Sequence, residues 1–304
     1  MHALLCGWFS FEDGGGTAGD LMALDVVCQW LDEKKIGYEI ANMSDPHKKM
    51  FNWKKADPRD YKYLIFICGP IVKDSRDQRA LFRRFEKTTT LVGINVSMFE
   101  AWGPLAWNPF RAVLSRDGMG EPQPDLSFQY PPGKVPVVGL ILRGLQGEYG
   151  TRNCLYREAE SRLNELIESQ GCAVVRIDTK IPQNDCGLRS IAEIESVISK
   201  MDLILTTRLH GAVIAIKNRV PVIALDQIRN GAKVYSGLSR IGWPLVFRLD
   251  ELKAHDPRLL EAFNRALSPA IQTAIDNSLA VAEKGLAALK DRFLALLPQI
   301  ESNP

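Results

Sequence analysis

The chain has 304 residues, 46% of them apolar and 24% charged, with 38 Lys and Arg against 36 Asp and Glu for a formal net charge of +2. That length is about twice a common single domain, and the composition supplies enough apolar surface for real cores, which excludes a disordered chain. The near balance of charge argues against a dedicated nucleic-acid binder, and no apolar run nears the ~18 residues that a membrane-spanning helix requires.

The opening MHALLCGWFSFEDGGG is apolar for only a few residues and has neither a basic start nor a cleavage site, so no secretory leader is expected. Residues 3–9 read as a buried strand followed by a glycine-rich loop. From Asp20, the apolar residues Leu21, Leu24, Val27, Cys28 and Leu31 recur at three- and four-residue steps, which predicts a helix with Asp20 as its N-cap. Gly37 ends that unit, and 38–43, 63–68 and 90–96 read as three further strands. Residues 118–136 hold five prolines and little periodicity, and are expected to link two domains, 1–130 and 131–304.

A second alternating series follows. Residues 137–142 form a strand, and Leu155, Ala159, Leu163, Leu166 and Ile167 mark a helix stopped by Gly171. Residues 172–177 are a strand, and Ser190 with Glu193 is a capping box opening a helix through Ile194, Val197 and Ile198. Then come a strand at 202–206, a short helix at 212–217 and a strand at 220–225. In 269–297 the residues Ile271, Ile275, Leu279, Ala282, Leu286, Leu289 and Phe293 lie on one stripe, a long helix expected to pack across the two domains. Alternation of this kind predicts two α/β lobes with parallel sheets.

Six cysteines and four histidines show no metal-ligand spacing, so a reduced, cytosolic chain without a metal is expected. Residues 48–87 carry twelve Lys or Arg against five acids, read as a solvated helix face in preference to a surface steering a polyanion or anionic membrane. The aromatic loop Trp102–Phe110 is read as cover for the core in preference to a sugar-stacking platform.

Two stretches carry chemistry. In Gly14-Gly15-Gly16-Thr17-Ala18-Gly19-Asp20 the missing Cβ atoms let a backbone approach an anion at a helix start. The match to GxGxxG is discounted as a dinucleotide fingerprint: Phe9–Asp13 separate the glycines from the strand, and Glu39 lies too early in the second strand. Contact with an anion or substrate through Gly15, Gly16, Thr17 and Gly19 is preferred to a loop that merely turns. The stronger stretch is Thr206-Thr207-Arg208-Leu209-His210-Gly211, at the carboxyl end of a buried strand, where open parallel sheets bind ligands. Arg208 offers a planar fork for carboxylate or phosphate. His210, an imidazole that would gain its proton as an anion arrives, suits general-acid work.

The run DLILTTRLHGAVIAIKNRVPVIALDQ resembles the polysaccharide pyruvyl transferase family, whose mark is an Arg-x-His-Gly turn after a buried strand, then a short helix and a Val-Pro-Val-Ile-like strand. The glycine-rich loop leading to Gly19-Asp20 is similar to the family's opening segment, and Arg116-Asp117 to its Arg-Asp pair late in the first domain. The third strand ends Cys68-Gly69-Pro70-Ile71, where a richer glycine cluster is expected.

The resemblance implies two Rossmann-like lobes facing a cleft, as in B-type glycosyltransferases, with a long C-terminal helix. It implies a transferase that moves a pyruvyl group from phosphoenolpyruvate to a saccharide or lipid-linked saccharide as a ketal, in bacterial cell-surface polysaccharide synthesis. The donor would be a substrate, with no cofactor and no metal. In this reading Arg208, Arg143 and Gly211 bind the donor, His210 is the acid–base catalyst, and Asp20 or Asp117 takes the sugar proton. The expected location is the cytoplasm at the inner face of the membrane, with peripheral contact and self-association left open. Two rivals remain: a nucleotide-sugar glycosyltransferase with a pocket near 226–231, and a non-catalytic anion-binding relative.

Overall fold

A computed structural model describes residues 2–9, 16–43, 51–98, 108–118, 121–131, 133–181 and 185–301, the last few side chains of the final helix excepted. The chain forms two compact units, Met1–Gly133 and Lys134–Pro304.

The first unit is a five-stranded, all-parallel sheet of β1 (His2–Gly7), β2 (Gly37–Asn42), β3 (Tyr63–Ile67), β4 (Thr90–Met98) and β5 (Ala112–Gly118), ordered β2-β1-β3-β4-β5. Helix α1 (Ala18–Glu33) lays Ala23, Leu24 and Val27 on one face, beside Ala3, Leu5 and Ile67. Helix α2 (Arg76–Phe85) lays Leu81, Phe82 and Phe85 on the other, beside Leu4, Leu64 and Phe66. Arg76, Arg83 and Arg84 stay exposed on α2, so much of the basic run is a solvated face; Lys48 and Lys49 lie outside the described residues. So do Trp102 and Trp107.

Several expectations need correction here. The first strand stops at Gly7, not at residue 9. The N-cap of α1 is Thr17, and Asp20 stands three residues into the helix: Thr17 Oγ1 accepts from Asp20 N at 3.4 Å while Thr17 N donates to Asp20 Oδ2 at 2.8 Å. Both residue types cap well, and the reciprocal bond favours the earlier one. Strand β5 is an additional edge strand, overlooked because Leu114 is exposed and the stretch shows no clean alternation. Part of the proline-rich stretch belongs to the first unit, where a 3₁₀ turn at Leu126–Gln129 packs Leu126 onto the core beside α1.

The second unit is another all-parallel sheet: β6 (Val137–Ile141), β7 (Ala173–Arg176), β8 (Leu203–Thr206), β9 (Val222–Asp226) and β10 (Val246–Arg248), ordered β10-β9-β8-β6-β7. The chain leaves β6 toward β7 and returns on the other side as β8, so the order reverses between β6 and β8. Such a switch point opens a crevice at the carboxyl ends of the strands.

Its helices are α3 (Tyr156–Glu168), α4 (Ile191–Ile198), α5 (Leu209–Lys217), α6 (Lys233–Arg240), α7 (Pro257–Ala266) and α8 (Ile271–Glu301). One core joins the strands to Leu163, Ile194, Ile216, Leu238 and Phe263. Helix α8 enters this core through Ile271 and Ile275, whereas Leu286, Leu289 and Phe293 on the same stripe are more than half exposed. Helix α5 begins at Leu209, three residues earlier than expected, which places His210 and Gly211 inside its first turn. The short helices α6 and α7 and strand β10 are additions, although Asp256 before Pro257 is a legible helix start.

Candidate functional site

Two threonines build the corner after β8. Thr206 Oγ1 donates to Ile141 O at 2.8 Å and accepts from Arg208 N at 2.9 Å. Thr207 Oγ1 accepts from Arg143 N at 2.7 Å. The end of β8 is thereby stitched to the end of β6, and Arg143 and Arg208 come to the switch point together. Gly211 lets the first turn of α5 lie on these strands: a Cβ there would stand 2.9 Å from Thr206 Oγ1 and 3.0 Å from Ile141 Cγ2. Leu209, between Arg208 and His210, packs toward the core, where a Cβ on Gly237 of α6 would come within 2.9 Å of it.

The Arg208 side chain is only 13% exposed. Its Nη1 donates to Asp178 Oδ1 at 2.9 Å and to Thr179 Oγ1 at 2.6 Å. Its Nε is sealed without a partner, an arrangement that costs about 1–3 kcal/mol. Burial draws the guanidinium's pKa below its ordinary value, Asp178 opposes that, and the positive charge of Arg143 reinforces it. Arginine stays cationic throughout this range. Two guanidiniums that repel each other beside one cavity are a ready receptor for an anion.

That cavity holds about 610 Å³ and lies wholly within the second unit. Arg143, Arg208, His210 and Lys233 give it a basic wall, and Ile181, Ile191, Ile194 and Ile214 an apolar one. His210 is exposed there, on the second residue of α5. Lys233 Nζ lies 3.9 Å from Glu148 Oε1, a long and exposed pair.

At 226–231, where the rival reading expects a nucleotide pocket, Asp226 serves the fold. Asp226 is buried, and its Oδ2 accepts from Ala232 N at 2.7 Å and Tyr235 N at 2.9 Å, its Oδ1 from Ile228 N at 3.1 Å. It caps α6 from the end of β9.

The remaining candidates belong to the first unit, and those that are described lie around the carboxyl edge of its sheet. Gly14 and Gly15 lie outside the described residues. Gly16 precedes the cap, Gly19 is in the first turn of α1, and Asp20 Oδ2 is held by Thr17 N and by Thr17 Oγ1, each at 2.8 Å. Thr17, expected to meet an anion, and Asp20, expected to take the sugar proton, therefore satisfy each other. Asp117 Oδ2 accepts from Ser97 Oγ at 3.0 Å and lies 3.6 Å from Arg116 Nε, while Asp117 Oδ1 is buried without a partner. Arg116 is tied down by Asp125 at 2.8 Å and by Ser97 Oγ at 2.9 Å.

Cys68, where the glycine cluster was expected, itself takes the left-handed conformation, φ +63°, and Gly69 follows at φ +74°. Asn95, at a bulge in β4, donates to its Sγ at 3.1 Å. Burial pushes the Cys68 thiol up to about 11; Asn95 opposes this, Asp20 and Asp125 add to it, and Arg116 opposes it. No group of His, Cys, Asp and Glu among the described residues could hold a metal ion. No helix among them is long and apolar enough to cross a membrane.

Residues 157–227 match the polysaccharide pyruvyl transferase family. The matched segment runs from α3 to the residue after β9 and contains Asp178, Thr179, Arg208, His210 and Gly211, whereas Arg143 and Lys233 lie outside it. No curated protein matches the chain. Among solved structures, the glycotransferase of kitacinnamycin is 11% identical over 96% of this chain and 98% of its own, at a TM-score of 0.33. UDP-GlcNAc 2-epimerase from Methanocaldococcus jannaschii is 11% identical over 88% and 92%, at 0.30. Spinosyn forosaminyltransferase is 10% identical over 91% and 93%, at 0.31.

Within the matched segment, sequence reasoning finds Arg208, His210 and Gly211 but passes over Asp178 and Thr179. Their signal was available: a carboxylate and a hydroxyl directly after the strand at 172–177 occupy the edge where ligands bind. Lys233 had no such signal, because α6 has only 8 residues and its N-cap, Ala232, supplies no side-chain cap.

Proposed function

We propose that the protein transfers a pyruvyl group from phosphoenolpyruvate to a saccharide, forming a ketal and releasing phosphate. The observation that carries this reading is the Arg208–Gly211 corner, inside the family-matched segment, opening on a cavity whose basic wall adds Arg143 and Lys233. The donor bears a carboxylate and a phosphate, and fixed cations in a partly dehydrated cavity stabilise both it and the departing phosphate.

In this reading Arg208 and Arg143 bind the donor's anionic groups, and Lys233 follows charge onto the leaving phosphate. His210 delivers a proton to the methylene carbon, which becomes the methyl group. The adjacent carbon then takes one sugar hydroxyl, loses phosphate and takes a second, closing the ketal. The two hydroxyl protons balance the one gained by the methyl and the one leaving with phosphate. A cavity of about 610 Å³ falls in the range of about 300–1,000 Å³ for ordinary ligand sites and has room beyond a three-carbon acid. The isoleucine wall suits the apolar face of an acceptor sugar. The acceptor class we favour is a saccharide, free or lipid-linked, of a bacterial cell-surface polymer, modified in the cytoplasm where the donor is available.

The test is phosphate release from phosphoenolpyruvate with a panel of saccharides. Release that depends on acceptor and disappears in His210→Ala and Arg208→Ala, with folding intact, supports the reading. Absence of release with thermal stabilisation by a nucleoside diphosphate would assign the cavity to a nucleotide sugar instead. Silence toward both ligands would leave an anion-binding protein without turnover.

A further inference from the structure

We infer that Asp178 and Thr179 are positioning residues: together they hold Arg208 Nη1 from behind and commit the rest of the guanidinium to an anion in the cavity. This rests on the reading that the cavity receives an anionic substrate. Asp178 and Thr179 follow β7, Arg143 follows β6 and Arg208 precedes α5 after β8, and β6 lies between the other two strands. Arg208 therefore reaches back over the end of β6, across two strand spacings of about 4.8 Å each, to find its partners.

The anchor is itself anchored. Asp178 Oδ1 accepts from Lys180 N at 2.9 Å as well as from Arg208 Nη1 at 2.9 Å, so the carboxylate is locked into its own turn before it meets the guanidinium. Upstream, Ile177 is buried in the core and its N donates to Leu140 O at 3.0 Å. Among the described residues, Nη1 is bonded twice, Nε is sealed and Nη2 donates to nothing, which leaves Nη2 as the nitrogen with uncommitted donors. Thr179 Oγ1 accepts from Nη1 and so keeps its own hydroxyl proton to donate, and Thr179 lines the cavity beside Arg208.

A carboxylate so near an anion site poses a choice of sign. If Asp178 acted only through its charge, its removal would strengthen anion binding by relieving repulsion. If it acts by orienting Arg208, its removal weakens binding despite the gain in positive charge. An asparagine keeps the acceptor oxygen for both Lys180 N and Nη1, an alanine keeps neither.

The experiment measures the Kd of inorganic phosphate and, where turnover occurs, kcat and KM for phosphoenolpyruvate, in wild type, Asp178→Asn, Asp178→Ala and Thr179→Val. Asp178→Ala should weaken phosphate binding about 10-fold or more and lower kcat by about 10- to 100-fold, in line with the cost of misplacing a binding group. Asp178→Asn should stay within about 3-fold of wild type, because the hydrogen-bond geometry persists. Phosphate bound by Asp178→Ala as tightly as by wild type, or more tightly, overturns the inference, and so does an asparagine variant as weak as the alanine one. If Asp178→Ala does not fold, Thr179→Val decides: binding weakened about 3-fold or more supports the assignment, and unchanged binding overturns it. The two proposals fail separately. Phosphate binding that follows the Asp178 series without any use of phosphoenolpyruvate removes the pyruvyl-transfer reading and keeps this one. Pyruvyl transfer indifferent to the series does the reverse.

Discussion

Gly211→Ala sets two effects of known size against each other. Gly211 lies in the first turn of α5, and its φ is outside the left-handed region, so helix propensity alone favours alanine by up to about 1 kcal/mol. Against that, the new Cβ would stand 2.9 Å from Thr206 Oγ1 and 3.0 Å from Ile141 Cγ2. Neither neighbour yields freely. Thr206 Oγ1 is held by Ile141 O at 2.8 Å and Arg208 N at 2.9 Å, and Ile141 is fully buried. Overpacking a well-filled core costs about 1–3 kcal/mol, so the net effect is a loss of about 1 kcal/mol. For a unit of this size that lowers Tm by about 2–4 °C.

The same shift lifts the first turn of α5 away from β8 and carries Arg208 and His210 with it, so phosphate affinity should fall further than stability. Calorimetry of the C-terminal unit together with titration of phosphate checks both halves. In a Thr206→Ser background the hydroxyl rotates more freely, and the alanine penalty should shrink. A Gly211→Ala protein with a raised Tm and undiminished phosphate affinity would refute the packing argument, because propensity would then have prevailed.

Asp226→Ala leaves the amides of Ile228, Ala232 and Tyr235 without their buried acceptor, and should cost about 2–3 kcal/mol in chemical denaturation, with Asp226→Asn intermediate. Asp125 is held down at about 2: burial works against this, and bonds from Ser127 and Arg116 overcome it. A depressed carboxyl stabilises the fold above its unfolded pKa of about 3.9, and that contribution is lost as pH falls through about 2. Melting of the N-terminal unit between pH 5 and 2 should therefore be less steep in Arg116→Met than in wild type, and parallel curves would contradict the assignment. Burial likewise pushes the Cys6 thiol up to about 12 and the Cys68 thiol up to about 11. Alkylation at pH 8 followed by mass spectrometry should leave both unmodified in the folded protein and label both after denaturation; native labelling of either would be inconsistent with their sealed positions.

The strands at 63–68, 202–206 and 220–225 were legible because fully buried parallel strands are short unbroken apolar runs, and the structure places them at Tyr63–Ile67, Leu203–Thr206 and Val222–Asp226. The helix start at Ser190 was legible from local capping chemistry, with Ser190 Oγ accepting from Glu193 N at 3.2 Å, but the expected box stays half formed because the Glu193 carboxylate accepts from Arg189 N and not from Ser190 N. The start of α1 was not, since Thr17 and Asp20 both cap well and only the folded backbone shows which stands outside the helix. Strand β5 escaped notice because an edge strand need not alternate when one of its faces is left half open.

The residue types at the candidate site were determined by the sequence alone: a guanidinium, an imidazole and a glycine at the end of a buried strand, in positions 208 to 211. What surrounds them was decided by strand order. Asp178 is 30 residues from Arg208 and Thr207 is 64 from Arg143, yet each pair is bonded because β6 lies between β7 and β8. Periodicity and capping act over a few residues and can be read along the chain. Which strand becomes the neighbour of which depends on burying every apolar face at once, and only the assembled sheet meets that condition.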